Sequence, residues 1–151
     1  MQRLLSCRAM SLPNHVPPRS DASDIVLIIS ADPAAAALLG GLVETLGFTV
    51  QFAVVNEPRE ERRRRAWARI YLIDCATTPD CNDEIIGRAM MRRVAVVLFG
   101  PQALMREMRE LAARHELELV FTPVDPGPLG DALDRAAGRL PRSATNQHEK
   151  P

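Results

Sequence analysis

Apolar residues in this chain form five short runs, and stretches with helical spacing of apolar residues separate them. The run Ile70–Ile73 shows no alternation of apolar and polar side chains, which is typical of a strand buried on both faces of a sheet. A single carboxylate, Asp74, follows it directly. Each of the other runs also predicts a strand, and they are Ile25–Ile29, Phe48–Val55, Val94–Phe99 and Leu117–Phe121.

The stretches between these runs predict five helices. Asp32 followed by Pro33 is a helix start, because Asp32 can accept backbone amide bonds as N-cap while Pro33 takes the first helical position. Asp125 and Pro126 repeat the pattern. The predicted helices are Pro33–Leu46, a highly charged and weakly packed Glu57–Ala68, Asp80–Met91, Gln102–His115 opened by Gly100 and Pro101, and a last one from Pro126.

The alternation of strands and helices predicts an α/β fold with five βα units. Such units require right-handed crossovers, a parallel sheet and helices on both of its faces. Residues 24–139 form the predicted domain. Residues 1–23 and 140–151 lack an apolar period and predict a disordered leader and tail. Met10 is an alternative start to Met1. In an open parallel sheet ligands bind at the carboxyl ends of the strands, which is where Asp74 is expected to lie.

Composition narrows the class of protein. The chain has 151 residues, 46% of them hydrophobic, so one core can form without disulfides or a structural metal. Its formal net charge is zero, which argues against a nucleic-acid binder. No stretch approaches the roughly 20 apolar residues of a membrane span. These features predict a soluble protein that binds neither membranes nor nucleic acids.

Three cysteines, Cys7, Cys75 and Cys81, are too few for a disulfide framework and fit a reducing cytosol. Cys75 and Cys81 could form a redox pair, because one ends a strand and the other lies near a helix start, which would lower the pKa of its thiol. With no Cys-x-x-Cys motif and no neighbouring histidine, buried or incidental cysteines are the expectation. The predicted location is therefore the cytoplasm.

With these elements placed, residues 24–138 resemble a response-regulator receiver domain. Five βα units of this size suit the flavodoxin-like strand order 2-1-3-4-5. The marks of the resemblance are Asp74 ending the third strand, Asp32-Pro33 after the first, Leu46-Gly47 ending the first helix, and Pro123 followed by Asp125-Pro126 after the fifth strand.

The resemblance implies a phosphoryl-transfer site from which this chain departs. A receiver holds magnesium with two acids after its first strand, phosphorylates the third-strand aspartate, and uses a hydroxyl, a lysine and an aromatic residue nearby. Those positions carry Ser30 and Ala31 for the acids, Phe99 for the hydroxyl, Thr122 for the lysine and Leu119 for the aromatic. Only Asp74 matches. Efficient phosphoryl transfer is therefore expected to be lost.

Two interpretations of the surviving acids stay open. Asp74 is either a phosphoacceptor or a strand-end carboxylate satisfied by loop amides. Asp32 is either an N-cap or a residual metal ligand. A magnesium ion is expected only if Asp74 and Asp32 together form a site; otherwise no cofactor is expected.

Three function classes follow. The first is a non-enzymatic, degenerate single-domain receiver that docks a protein partner, such as a histidine kinase or another signalling protein. The docking surface is either that of the fourth helix, fifth strand and fifth helix, or the first helix. Exposed residues of the fourth predicted helix, Arg106 and Arg109, are the docking candidates. The second is a functional phosphoacceptor at Asp74 in a phosphorelay, and the third is a small-molecule binder. The oligomeric state is left open.

Overall fold

The computed structural model describes residues 25–53, 58, 60 and 67–139. Along the chain, the first helices and strands are β1 (Ile25–Ile29), α1 (Pro33–Thr45), β2 (Thr49–Phe52) and β3 (Ile70–Asp74). The second half is α2 (Asp83–Met91), β4 (Ala95–Pro101), a 3₁₀ turn (Gln102–Leu104), α3 (Met105–Arg114), β5 (Glu118–Thr122) and α4 (Pro126–Gly138). No helix within these residues is long and apolar enough to cross a membrane.

The strands form one parallel five-stranded sheet in the order β2-β1-β3-β4-β5. The predicted flavodoxin-like order is confirmed, and β3 is the central strand as expected. Its apolar residues Ile70, Leu72 and Ile73 have no exposed surface. A parallel strand with neighbours on both sides and helices above and below must be apolar throughout, which explains the missing alternation.

Two apolar clusters cover the two faces of the sheet. On one face Val26, Leu72 and Phe99 pack with side chains of α1 and α4, including Val43 and Leu133. On the other, the buried side chains are Ile73, Ile86, Ala89, Val94, Val96, Leu98, Met108 and Leu111, of which four come from α2 and α3. The described residues therefore form three layers, helices on sheet on helices.

Three predicted boundaries are wrong. The helix predicted from Asp80 begins at Asp83, because Asn82 is the N-cap and accepts from the Ile85 amide at 3.0 Å. Gly100 and Pro101 do not open a helix, since they extend β4 and pair with Phe121 and Thr122. The helix that follows starts with the 3₁₀ turn and becomes α-helical only at Met105.

Other boundaries are shorter than predicted or cannot be compared. Strand β2 spans only four residues, and residues 54 and 55 of the predicted strand lie outside the described residues. Most of the predicted charged helix Glu57–Ala68 also lies outside them, although its last two residues, Trp67 and Ala68, are not helical. The predicted disordered segments 1–23 and 140–151 lie outside the described residues as well.

Candidate functional site

Asp74 is the last residue of the central strand and lies at the carboxyl edge of the sheet. Its Cα pairs with that of Phe99 on β4, and the next amide, that of Cys75, donates to the Phe99 carbonyl at 2.9 Å. The strand pairing thus continues up to the acid and fixes its backbone. The Asp74 residue is only 4% exposed. This places the carboxylate where parallel α/β sheets bind their ligands, as the sequence predicts.

Three donors satisfy the Asp74 carboxylate. Oδ2 accepts the hydroxyls of Ser30 at 2.8 Å and Thr77 at 2.7 Å, and Oδ1 accepts the Ala76 amide at 3.0 Å. An ionised carboxylate offers about four lone-pair directions, so most of its hydrogen-bonding capacity is used. All three donors are uncharged. The carboxylate is therefore well solvated by the protein, but none of these three donors offsets its charge.

Two loops converge on Asp74 through the hydroxyl of Thr77. Its Oγ1 donates to Asp74 and accepts from the Ala31 amide at 3.0 Å, which joins the β3–α2 loop to the β1–α1 loop. Ser30 Oγ lies 3.3 Å from Thr77 Oγ1. Because each hydroxyl gives its one proton to Asp74 Oδ2, this contact is not a further hydrogen bond between them.

Sequence reasoning missed Thr77 as a site residue. The available signal was its spacing, since a threonine three residues after a strand-end aspartate can turn its hydroxyl back onto the carboxylate across a tight loop. The backbone turn needed for this is present, because the Thr78 amide donates to the Asp74 carbonyl at 3.2 Å. Ser30, predicted only as a crevice position, is a direct partner of Asp74.

Asp32 is the N-cap of α1, so this part of its predicted role is confirmed. Its Oδ1 accepts the amides of Ala34 at 3.0 Å and Ala35 at 3.3 Å. The side chain is thereby turned toward the first turn of the helix. Asp32 is exposed, and within the described part of the chain its side chain makes no hydrogen bond with that of Asp74. Its link to the site is through its own amide, which donates to Ser30 Oγ at 3.2 Å.

No protein-family model matches the sequence, and no curated protein matches it either. Solved structures do match. A pilus assembly-related protein from Burkholderia pseudomallei is 21% identical, with 82% of this chain and 96% of that chain covered and a TM-score of 0.59. The N-terminal receiver domain of a two-component response regulator from Bacteroides fragilis is 18% identical, covering 75% and 95%, with a TM-score of 0.62.

A chemotaxis response regulator from Vibrio cholerae shows the same likeness. It is 14% identical, with 74% of this chain and 97% of that chain covered and a TM-score of 0.57. The chain has the receiver fold. Identities at this level establish the fold alone, so the function of the site depends on its own residues.

The receiver fold raises the question of magnesium, and the residues present do not fit the ion. Mg²⁺ sites in proteins use one or two carboxylates with substrate oxygens and water. Ser30 and Ala31 supply no carboxylate, and Asp32 is bonded to two amides. Among residues 25–53, 58, 60 and 67–139 no group of three or more His, Cys, Asp or Glu side chains could hold a metal. We therefore assign no metal-dependent step.

The remaining receiver positions carry apolar or uncharged residues. Phe99 is 4% exposed and belongs to the cluster beneath α1 and α4, so its ring fills the core beside β3. Leu119 is half-buried on the opposite face. Thr122 ends β5 ahead of a cis peptide bond to Pro123. The sequence contains one lysine, Lys150, outside the described residues. No other lysine exists to replace the one expected at Thr122.

The expectation of unpaired cysteines is wrong for Cys75 and Cys81. The two form a disulfide, with their Cα atoms 5.1 Å apart. This separation is within the usual range for a disulfide, and the turn of the β3–α2 loop produces it. No Cys-x-x-Cys motif is needed, since a loop that reverses direction brings together residues six positions apart. The covalent ring begins at the residue after Asp74.

The predicted docking residues lie on the solvent side of α3. Arg106 and Arg109 are exposed, whereas Met108 and Leu111 of the same helix are buried against the sheet. Arg106 Nε lies 3.5 Å from Glu110 Oε1. A shallow depression of about 570 Å³ runs along this side and is lined by Arg106, Arg109 and Glu110 among others. No residue that lines it contributes to the hydrogen bonds of Asp74.

Proposed function

We propose that this receiver-like protein acts in signalling of the two-component type by contact with a partner protein, without phosphoryl transfer at Asp74 and without an enzymatic activity of its own. The observation that carries the proposal is the hydrogen bonding of Asp74. Both of its oxygens accept from neutral groups of the protein, two hydroxyls and an amide.

Phosphoryl transfer needs a free carboxylate oxygen aligned with the phosphorus and cations around the equatorial oxygens. At Asp74 both hydroxyl donors converge on Oδ2, and Ala76 occupies Oδ1. Only one lone-pair direction, on Oδ1, is left for attack on the phosphorus, and the bonded Ala76 amide lies beside it. No lysine of the fold is available to offset the charge that such a reaction brings in. These features disfavour the phosphoacceptor role.

Incubation of the full chain with acetyl phosphate and magnesium tests the proposal, with intact-mass spectrometry as the readout. We expect no phosphoryl adduct under conditions in which an authentic receiver becomes fully modified. The Asp74→Asn variant is the control for modification at other residues. A stoichiometric adduct on the parent chain that is missing from Asp74→Asn would establish the alternative, a functional phosphoacceptor in a phosphorelay.

The alternative has one observation in its favour, since Asp74 ends the central strand at the edge where receivers carry their phosphoacceptor. The third class, a small-molecule binder in the same crevice, has less support. The converging loops bring hydroxyls and amides to Asp74, and these groups already bond to one another and to the carboxylate.

We place the proposed docking surface on α3, around Arg106 and Arg109. The helix is amphipathic, so packing on the sheet uses Met108 and Leu111 and leaves the charged side free. With Phe99 and Leu119 at the positions of the moving hydroxyl and aromatic, the two-state element through which a receiver changes this face is missing. Partner binding is therefore expected to be constitutive. We propose the cytoplasm as the compartment, where kinases of such systems present their signalling domains.

Affinity capture from the native host, followed by titration of the purified partner, tests the docking surface. Arg106→Ala and Arg109→Ala should each weaken binding by about tenfold, or about 1.4 kcal/mol. Arg88→Ala is the matched control, because Arg88 is also an exposed helical arginine paired with a glutamate one turn away, Glu84. Histidine kinases and, given the Burkholderia neighbour, pilus assembly proteins are the first partners to test.

Two outcomes would contradict the proposed docking surface. Binding that appears only after phosphodonor treatment, or that Asp74→Ala abolishes while the two arginine variants leave it intact, would mean that the crevice and not α3 controls the partner.

A further inference from the structure

The Cys75–Cys81 disulfide closes the loop between β3 and α2. Cys75 directly follows Asp74, and Cys81 directly precedes Asn82, the N-cap of α2. The bond therefore connects the end of the central strand to the start of a helix. Both cysteines are only partly buried, and they pack against the cluster beneath α2 and α3. Neither cysteine residue is fully buried.

Two of the three donors to the Asp74 carboxylate lie inside the closed loop. They are the Ala76 amide and the Thr77 hydroxyl. Thr77 also accepts the Ala31 amide from the neighbouring loop. The third donor, Ser30, is on β1's exit loop and lies outside the ring. The covalent closure thus constrains those residues of the β3–α2 loop that hold the carboxylate.

We propose that Cys75 and Cys81 form a reversible thiol–disulfide site whose redox state sets the order of the loop that holds Asp74. The reaction partner is a dithiol reductant, either a small molecule or a protein. The inference is independent of the partner docking proposed above, since it uses none of the α3 residues proposed there.

The reduction proceeds by two exchange steps. A thiolate of the reductant attacks Cys75 Sγ, the bond between the two sulfurs breaks, and its electron pair goes to Cys81 Sγ, which leaves as a thiolate. This thiolate forms beside the N-terminus of α2, where the helix dipole favours negative charge. The second thiol of the reductant then attacks the mixed disulfide and releases Cys75. The pair gains two electrons and two protons, and the reductant becomes a disulfide.

Reduction removes the covalent constraint and leaves the loop held by hydrogen bonds. Among those of the described residues are the Thr78 amide to the Asp74 carbonyl, the Asp80 amide to Thr78 Oγ1 and the Asn82 side chain to the Pro79 carbonyl. The conformational freedom of the seven residues from Cys75 to Cys81 increases as a result. The Ala76 amide and the Thr77 hydroxyl should then contact Asp74 for a smaller fraction of the time.

Thiol trapping on the full chain tests the first half of the proposal. The folded protein is equilibrated with dithiothreitol at graded ratios of its reduced and oxidised forms and then alkylated, and intact mass gives the number of labels. The chain has three cysteines, so we expect one label, on Cys7, when the pair is oxidised and three when it is reduced. In Cys7→Ser the same titration should go from no label to two.

Circular dichroism on the same samples shows whether the chain stays folded. One label at every ratio at which the fold persists would mean a purely structural disulfide, and three labels at every ratio would mean that no disulfide forms. Either result overturns the proposal.

Hydrogen exchange tests the second half. Peptides that cover residues 75–81 should exchange at least about tenfold faster in the reduced chain, whereas peptides of β5 should not change. The double variant Cys75→Ser with Cys81→Ser should match the reduced parent and be insensitive to dithiothreitol. Equal exchange in the reduced and oxidised parent would overturn the coupling to the loop, and so would a response of the double variant to the reductant.

Discussion

Asp74 and Glu118 are the two buried charged residues of the described chain, at 4% and 8% exposure, and they are partnered in opposite ways. Glu118, at the start of β5, accepts from Arg135 Nε at 2.7 Å and from Arg139. Arg135 lies in the last turn of α4, and Arg139 is its C-cap residue. Asp74, at the end of β3, accepts only from uncharged hydroxyl and amide donors.

The charge of the donors distinguishes a carboxylate that stabilises the fold, Glu118, from the carboxylate of the candidate site, Asp74. Two cations offset the charge of Glu118, and the ion pairs join β5 to α4. The hydrogen bond to Glu118 raises the pKa of Arg135. At Asp74, hydrogen bonds offset part of the desolvation cost of the carboxylate but not its charge. Replacing the carboxylate by a neutral amide should therefore lower the free energy of unfolding clearly at Glu118 and hardly at Asp74.

The largest expected effect concerns the sheet that carries both acids. Leu72→Ala should lower the free energy of unfolding by about 2–5 kcal/mol, because Leu72 is fully buried in the central strand and its truncation leaves a cavity. Urea melts measure the loss, with the exposed Arg106→Ala as a control expected within about 0.5 kcal/mol of the parent. Equal losses of unfolding free energy in Leu72→Ala and Arg106→Ala would mean that Leu72 is not buried in the central strand.

Glu118→Gln should cost about 1–2 kcal/mol in the same assay. The substitution keeps the shape but removes the charge that two arginines bond to. Both arginines are about half-exposed and regain water, which keeps the loss below that of a fully buried ion pair. A loss of unfolding free energy no larger than that of the exposed control, Arg106→Ala, would mean that the charge of Glu118 does not stabilise the fold.

Asp74→Asn is the matched neutralisation and should change stability by no more than about 0.5 kcal/mol. The hydroxyls of Ser30 and Thr77 can rotate to accept from the new amide, and the cost of burying an unpaired charge disappears. Urea melts of Asp74→Asn and Glu118→Gln side by side test the comparison directly. A larger loss at Asp74 than at Glu118 would reverse it.

The smallest expected effect is at an exposed carboxylate, Asp83, at the start of α2. Hydrogen bonds from Arg114 and then His115 hold the pKa of Asp83 below its ordinary value of 3.8. A depressed pKa in the folded state contributes stability that is present above the ordinary value and is lost as pH falls through the lower one. The stability of Asp83→Asn should therefore decline less steeply than that of the parent as the pH falls below the ordinary value of 3.8. The midpoints of urea melts at several pH values measure this difference. The same loss of stability at low pH in the parent and in Asp83→Asn would contradict the role given to Arg114.

Much of the fold could be predicted from local patterns. The apolar run of β3 and the Asp32-Pro33 start of α1 were located to the residue, because burial on both faces and N-capping depend on a few neighbouring side chains. Even so, similar sequences differed in detail. Asp125 precedes Pro126 as Asp32 precedes Pro33, and both open helices, but the side chain of Asp125 makes no capping hydrogen bond.

The sequence by itself determined the order of the elements, the central place of β3 and the arrival of Asp74 at the carboxyl edge of the sheet, since these depend on periodicity and on right-handed βα connections. Only the tertiary structure decided the surroundings of that acid. The contacts of Ser30 and Thr77 with Asp74 join loops 44 and 3 residues away in sequence. The Cys75–Cys81 bond and the extension of β4 through Gly100 and Pro101 likewise depend on how a loop turns and which strand lies beside it. Such contacts arise from the three-dimensional path of the backbone, which a local spacing such as that of Thr77 permits but does not specify.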